Sequence, residues 1–260
     1  MTSSFYRSAP PAAPLGSAWL PVIPPSLVSQ CCLLLFLAAT PLSVVAVYLL
    51  GQDRNLWAIV NMYGFSLAYD AAYLVPLLSG RLHVATGVWV LWMSVFTEVV
   101  FQIPHNLCVG LLHAAKGTVA EWPFFAYGLS DARWSQYTHT NGTGLAPAVW
   151  LINVNDATLG LAVLAAAVAH WRRPACAKRR LAVVLAVVFR DATLWRETVE
   201  YMWDHHRGGY PHTTTDPAHR PHAVACLWLV NIVWLVAPLT SVVWAWGQVR
   251  GMTRKAGKEA

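Results

Sequence analysis

Residues 190–238 read RDATLWRETVEYMWDHHRGGYPHTTTDPAHRPHAVACLWLVNIVWLVAP, and this stretch decides how the rest of the chain is understood. An apolar helix carries Asp191, Arg196, Glu197, Glu200 and Asp204, and a loop rich in His, Gly and Pro follows it. A second apolar helix then carries Asn231 and Trp234. At the middle of a membrane helix each ionisable side chain costs about 2.5–3.5 kcal/mol on insertion scales. So many acids in one such helix mark a functional site by default. Glu197, Glu200 and Asp204 share a face, and Arg196 can pair with Glu200 one turn on. These groups make either a partial ion-pair network or a set in which one carboxylate faces a cavity.

The wider composition places this stretch in a membrane. The 260 residues are 57% hydrophobic and only 12% charged, with a mean hydropathy of +0.45. Soluble domains are about one-quarter charged. Long apolar runs cover roughly 28–50, 56–78, 82–112, 145–171, 181–203 and 223–246, which reads as an all-α, polytopic transmembrane bundle of six spans. A proline-rich N-terminal tail (1–27) precedes the transmembrane domain (28–247), and a basic cytosolic tail (248–260) follows it. The net charge of +6 lies between the apolar runs and at the C-terminus, so nucleic acid is not expected as a partner. The five cysteines lack metal spacing and read as small hydrophobes.

Arg172, Arg173, Lys178, Arg179 and Arg180 form the densest basic cluster, which makes that loop cytoplasmic. Six crossings then leave both termini cytosolic. The sequon Asn141-Gly-Thr143 falls on the lumenal side, where Asn141 can be glycosylated.

Polar residues recur within the spans at helical spacing. Tyr63, Ser66, Asp70 and Tyr73 line one face of the second span. Ser94, Glu98, Gln102 and His105 form a stripe on the third, and Glu98 has no basic residue within a turn. An isolated carboxyl in an apolar cavity is a proton donor; the plainer reading is an interhelical hydrogen bond. Asn153, Asp156 and Gly160 share a side of the fourth span. His205, His206, His212, His219 and His222 match no compact metal site, and their Gly- and Pro-rich surroundings suggest surface exposure. In the last span Trp228, Asn231 and Trp234 follow one stripe, and indole faces attract cations. Acids and indoles around one cavity suit carbocation chemistry, in which an acid protonates an alkene and a base removes a different proton.

The segment Asn231-Ile-Val-Trp234-Leu-Val-Ala-Pro238 closely resembles the N-x-x-W-L-V-x-P signature of the emopamil-binding proteins, sterol Δ8–Δ7 isomerases of the EXPERA superfamily. His206-Arg-Gly-Gly-Tyr-Pro-His212 resembles that family's H-R-x-G-[FY]-x-H loop. The likeness covers about 45 residues and is topological before them. Where the family has H-x-x-x-E, this chain has Ser94-Val-Phe-Thr-Glu98, and the second family acid falls on Asp156. Glu197 and Glu200 are not part of the family pattern, and the family has five spans.

The resemblance implies a multi-pass enzyme of the endoplasmic reticulum membrane with an EXPERA-like core in its last four or five spans. Its substrate would be a hydrophobic sterol-like or terpenoid molecule drawn from membrane lipid. Glu98 and Asp156 are the acid and base candidates in unassigned order, Trp234 stabilises the cation, and Asn231 orients an acid. Ser94, Gln102, His105, Asn153, Glu197, Glu200, Tyr201 and Trp228 are the expected substrate contacts. No cofactor and no metal is needed, because only protons move. A terpenoid cyclase with the same chemistry and a non-catalytic lipid binder are the alternatives, and homodimerisation is left open.

Overall fold

The computed structural model describes residues 27–90, 97–98, 102–103, 118–134, 147–173 and 176–259. Among them only helices and turns occur. Seven α-helices follow in order: α1 (Leu27–Val44), α2 (Arg54–Leu78), α3 (Leu82–Gly87), α4 (Trp122–Gly128), α5 (Pro147–Arg172), α6 (Ala177–Arg207) and α7 (Arg220–Glu259).

Helix boundaries follow local chemistry. Pro41 removes a backbone donor from α1, and the chain loosens into a π-helical turn at Val45–Leu49 before Gly51 takes a positive φ of 63°. Asp53 then caps α2, accepting from Leu56 N at 2.6 Å. α6 closes on Gly208, Gly209 and Tyr210, whose amides reach back to Asp204, His206 and His205.

Among the described residues three stretches are long and apolar enough to cross a membrane: Gln30–Leu49, Leu151–Arg172 and Arg220–Thr253. α6 has the length but holds Arg190, Asp191, Arg196 and Glu197 in its central part. α7 runs on as one helix of 40 residues, so the tail expected from residue 248 is its last turns. The expected N-terminal tail lies, but for Leu27, outside the described residues. The chain ahead of α5 is partly folded onto the bundle, with Trp122, Phe124 and Trp134 buried.

α1 packs along α2 through Phe36, whose ring lies 4.4 Å from that of Phe65. A large apolar core joins α1, α2, α3, α5, α6 and α7, and a smaller one joins α2, α4 and α7 around Met62, Trp122 and Val230. Inside the larger core lies a charged knot. Arg190 of α6 is fully buried, with Nη2 at 2.5 Å from Asp191 Oδ1 and Nε at 3.9 Å from Glu98 Oε1. Asp191 also accepts from Trp89 Nε1, at 3.2 Å to each oxygen. The Trp89 ring meets Trp234 of α7 edge-on, with centroids 5.0 Å apart.

Removing one member of a buried pair leaves the other charge stranded, at a cost of about 3–5 kcal/mol. Asp191→Ala is therefore expected to lower the detergent-solubilised protein's unfolding transition by that order. An unchanged transition would mean that Glu98 alone balances Arg190.

Candidate active site

The helices enclose a cavity of ≈ 440 Å³, inside the ~300–1,000 Å³ range of small-molecule sites. Its wall is chiefly aromatic and alkyl, from Phe36, Phe65, Tyr69, Phe124, Trp134, Leu194 and Trp234 among others. Thr40, Asn61, Tyr69 and Thr97 add polar atoms to this wall, and two further polar groupings carry ionisable side chains or sit beside them.

In the first, Asp156 of α5 accepts from Gln102 Nε2 at 2.7 Å, and Glu197 of α6 accepts from Asn155 Nδ2 at 2.8 Å. The two carboxyls feel each other's charge. Asp156 Oδ1 and Glu197 Oε2 are buried with no hydrogen-bond partner. Two charges side by side in an apolar wall repel strongly. One proton on the pair turns one orphan acceptor into a donor for the other.

The second place lies at the loop side. Asp131 Oδ1 accepts from Arg133 N at 2.9 Å, which opens the short 3-10 turn Ala132–Trp134. Arg133 also grips Asp131 through Nε at 3.0 Å and Nη2 at 2.8 Å. Tyr201 donates to Asp131 Oδ2 at 2.7 Å, and His205 Nε2 lies 3.0 Å from the same oxygen. Trp134 Nε1 in turn donates to the Tyr201 hydroxyl at 3.3 Å. The loop after α6 is stitched to this turn by Ala132 N to His212 O at 2.8 Å and Thr214 N to Leu129 O at 3.0 Å.

Burial alone would raise the Asp131 carboxyl, but hydrogen bonds from His205 and Arg133 more than offset it and hold it well below the usual carboxylate range. Burial, with the Arg133 charge, keeps His212 below the ordinary histidine value. Burial and the Asp131 charge push the Tyr127 phenol up to about 12, so it keeps its proton.

The expected residues divide between wall and surroundings. Asp156, Trp234, Asn231, Gln102, Glu197 and Tyr201 all line the cavity. Asn153 is buried behind the wall and donates to Val149 O at 2.8 Å. Ser94, His105 and Asn141 lie outside the described residues.

Glu98 is fully buried yet absent from the wall, beside Arg190 and pressed on Gly160, where a Cβ would overlap its Oε2. The carboxyls that line the cavity are those of Asp156 and Glu197, with Glu98 behind them. Glu200 faces outward beside Arg196 at 3.7 Å, and the exposed Trp228 donates to Tyr210 at 3.0 Å, so neither lines the cavity. His205, expected at the surface, is fully buried because it belongs to the last turn of α6 and not to the loop. Asp131, Arg133, Tyr127 and Trp134 went unnoticed in the sequence, where the only signal was the aromatic run Trp122-Pro-Phe-Phe-Ala-Tyr127.

Two measurements probe this arrangement. Gly160→Ala should destabilise, because Glu98 cannot yield without leaving Arg190. Gly64→Ala meets only Ala39 Cβ at ordinary contact and should be neutral or slightly stabilising, which thermal unfolding of both variants would decide. The Asp131 contribution to stability is fully present above its ordinary value of 3.8 and is lost as the pH falls toward its depressed folded value. Asp131→Asn should therefore flatten that part of the acid-unfolding curve. Compared with known proteins, the chain matches no family model, no curated protein and no solved structure.

Proposed function

We propose that this protein is a membrane-embedded isomerase that shifts a double bond in a sterol-like or terpenoid substrate through a carbocation. One observation carries the reading: Asp156 and Glu197 both stand in the wall of a mainly apolar cavity that also presents Trp234. The pair holds one proton. It passes to an alkene carbon, so an O–H bond breaks, a C–H bond forms and a tertiary cation is left. The indole face of Trp234 stabilises that cation. The carboxylate then takes a proton from a different neighbouring carbon, the C–H electrons become the new double bond, and the pair regains its proton. Trp89, held by Asp191, braces Trp234 edge-on. Glu98 acts on Asp156 from behind the wall and not by contact with substrate.

The same proposal covers the setting: a six-span protein of the endoplasmic reticulum membrane with an EXPERA-like core. The apolar side chains exposed on α2 and α6, Leu67, Leu185 and Phe189, support lipid around these helices as well as the three apolar ones.

Asp156→Asn and Glu197→Gln should each reduce turnover by about 10²–10⁴-fold in microsomes while the protein stays folded. Trp234→Ala should lose far more rate than Trp234→Phe, and deuterium from heavy water should enter the product. Wild-type rates in the carboxyl variants would end the proposal. A cyclised product would move it to a terpenoid cyclase, and binding without turnover to a lipid-binding protein.

A further inference from the structure

Cations without acids gather where the C-terminal end of α5, the first turn of α6 and the C-terminal part of α7 meet. Arg179 Nη1 donates to Ala169 O of α5 at 2.7 Å, and Arg180 Nη2 donates to Gln248 Oε1 of α7 at 2.6 Å. Arg180 also lies over Gly251, where a Cβ would stand 4.0 Å from Nη2. Arg172, Arg173, Lys178 and Arg250 stand exposed on the same three helix ends. Among the described residues none of these cations is ion-paired with a carboxylate.

Two groups inside the junction are unanswered. His170 is only 5% exposed, and neither of its ring nitrogens has a hydrogen-bond partner among the described residues. Arg180 Nε is buried and equally without one. The Arg180 charge reaches the His170 ring, so the two belong to one locality. A guanidinium has only donors, and an imidazole has at least one N–H to give. A buried donor left without an acceptor bears its full desolvation cost. Both groups therefore ask for the same thing, an acceptor that brings negative charge.

The level of the junction says where such an acceptor comes from. The apolar stretches of α5 and α7 run out at Arg172 and Thr253. Trp171 and Trp246, both exposed, flank the junction, and indoles so placed mark the headgroup layer of a bilayer. Basic pockets between helices at that level take phosphate headgroups.

We infer that the junction of α5, α6 and α7 binds the phosphate of an anionic lipid, with Arg180 and His170 as donors and the exposed cations as the field around them. A planar guanidinium meets two phosphate oxygens at once, whereas an ammonium meets them as a point charge. The shape of Arg180 is required, not its charge alone. None of these residues lines the cavity, so the site stands whichever reaction the cavity performs. A headgroup held there ties three helices together, so its binding adds to the stability of the bundle.

The test uses the full chain in detergent, with phosphatidylglycerol, phosphatidylcholine or inorganic phosphate added. Thermal unfolding and native mass spectrometry read the outcome. Phosphatidylglycerol is expected to raise the transition and to stay bound. Phosphatidylcholine carries the same phosphodiester with an ammonium that the cluster repels, so it should do neither. Arg180→Lys and His170→Phe should each weaken phosphatidylglycerol retention about tenfold. Arg172→Gln, which removes an exposed charge of the same sign, should change it by less than about twofold. Equal losses in Arg172→Gln and Arg180→Lys would overturn the site and leave only diffuse attraction to an anionic surface. Equal retention of the two lipids would overturn it as well. Inorganic phosphate matching the lipid's effect would support the phosphate donors and overturn lipid as their source. Should neither junction variant fold, the wild-type ranking of the three additions decides.

Discussion

A buried guanidinium governs this bundle. Arg190 has no exposure to solvent, and a charge so placed costs several kcal/mol unless its partners are held against it. Its partners come from two directions: Asp191 from its own helix and Glu98 from the chain beyond α3. Asp191 then fixes the indole of Trp89, and Trp89 meets Trp234, so the demand of one cation reaches the cavity wall on α7. α5 adapts to the same knot. It comes close enough to Glu98 only because Gly160 has no side chain.

Charge is graded across the molecule from this knot outward. Two of the ion pairs, Arg190 with Asp191 and Arg133 with Asp131, lie behind or beside the cavity, and several donors close each of them. In the wall itself stand carboxyls restrained by neutral amides, Gln102 on Asp156 and Asn155 on Glu197. A guanidinium in direct contact with those carboxyls would fix them as anions, whereas amides leave room for a proton to come and go. The separation of salt bridges from wall carboxyls is what makes proton chemistry there physically reasonable.

Helical spacing made part of this legible. Asp156, Asn231 and Trp234 sit in apolar runs where a polar or indole side chain stands out, and all three line the cavity. Spacing could not say which side of a polar stripe is inside. Glu200 is three residues from Glu197 and so about 60° round the helix on one side, while Tyr201 is about 40° round on the other. The cavity lies on the Tyr201 side, so Glu197 and Tyr201 enter the wall and Glu200 is left outside. Glu98 was legible as buried but not as a partner of Arg190, because their contact spans 92 positions and depends on how α6 packs. Asp131 and Arg133 were invisible for another reason. They sit in a turn with no periodicity, and their role arises only when the loop after α6 folds back on them.

The proposed chemistry leaves two outcomes that share every proton step, migration of a double bond and closure of a ring. What separates them is how the ligand is held between protonation and deprotonation. A cyclase must fold a flexible chain so that a distant alkene attacks the cation, and its cavity must template that fold along the chain's length. Here the wall carboxyls stand at one point, Glu197 with Asp156, and the Tyr201 phenol stands a turn away on α6. Two close points immobilise a rigid polycycle but leave most of a flexible chain unguided. With an indole beside the cation and the conjugate base still adjacent, the short path is return of a proton to the pair. Within the proposed chemistry, that closeness of carboxyls and phenol is the ground for preferring isomerisation to cyclisation.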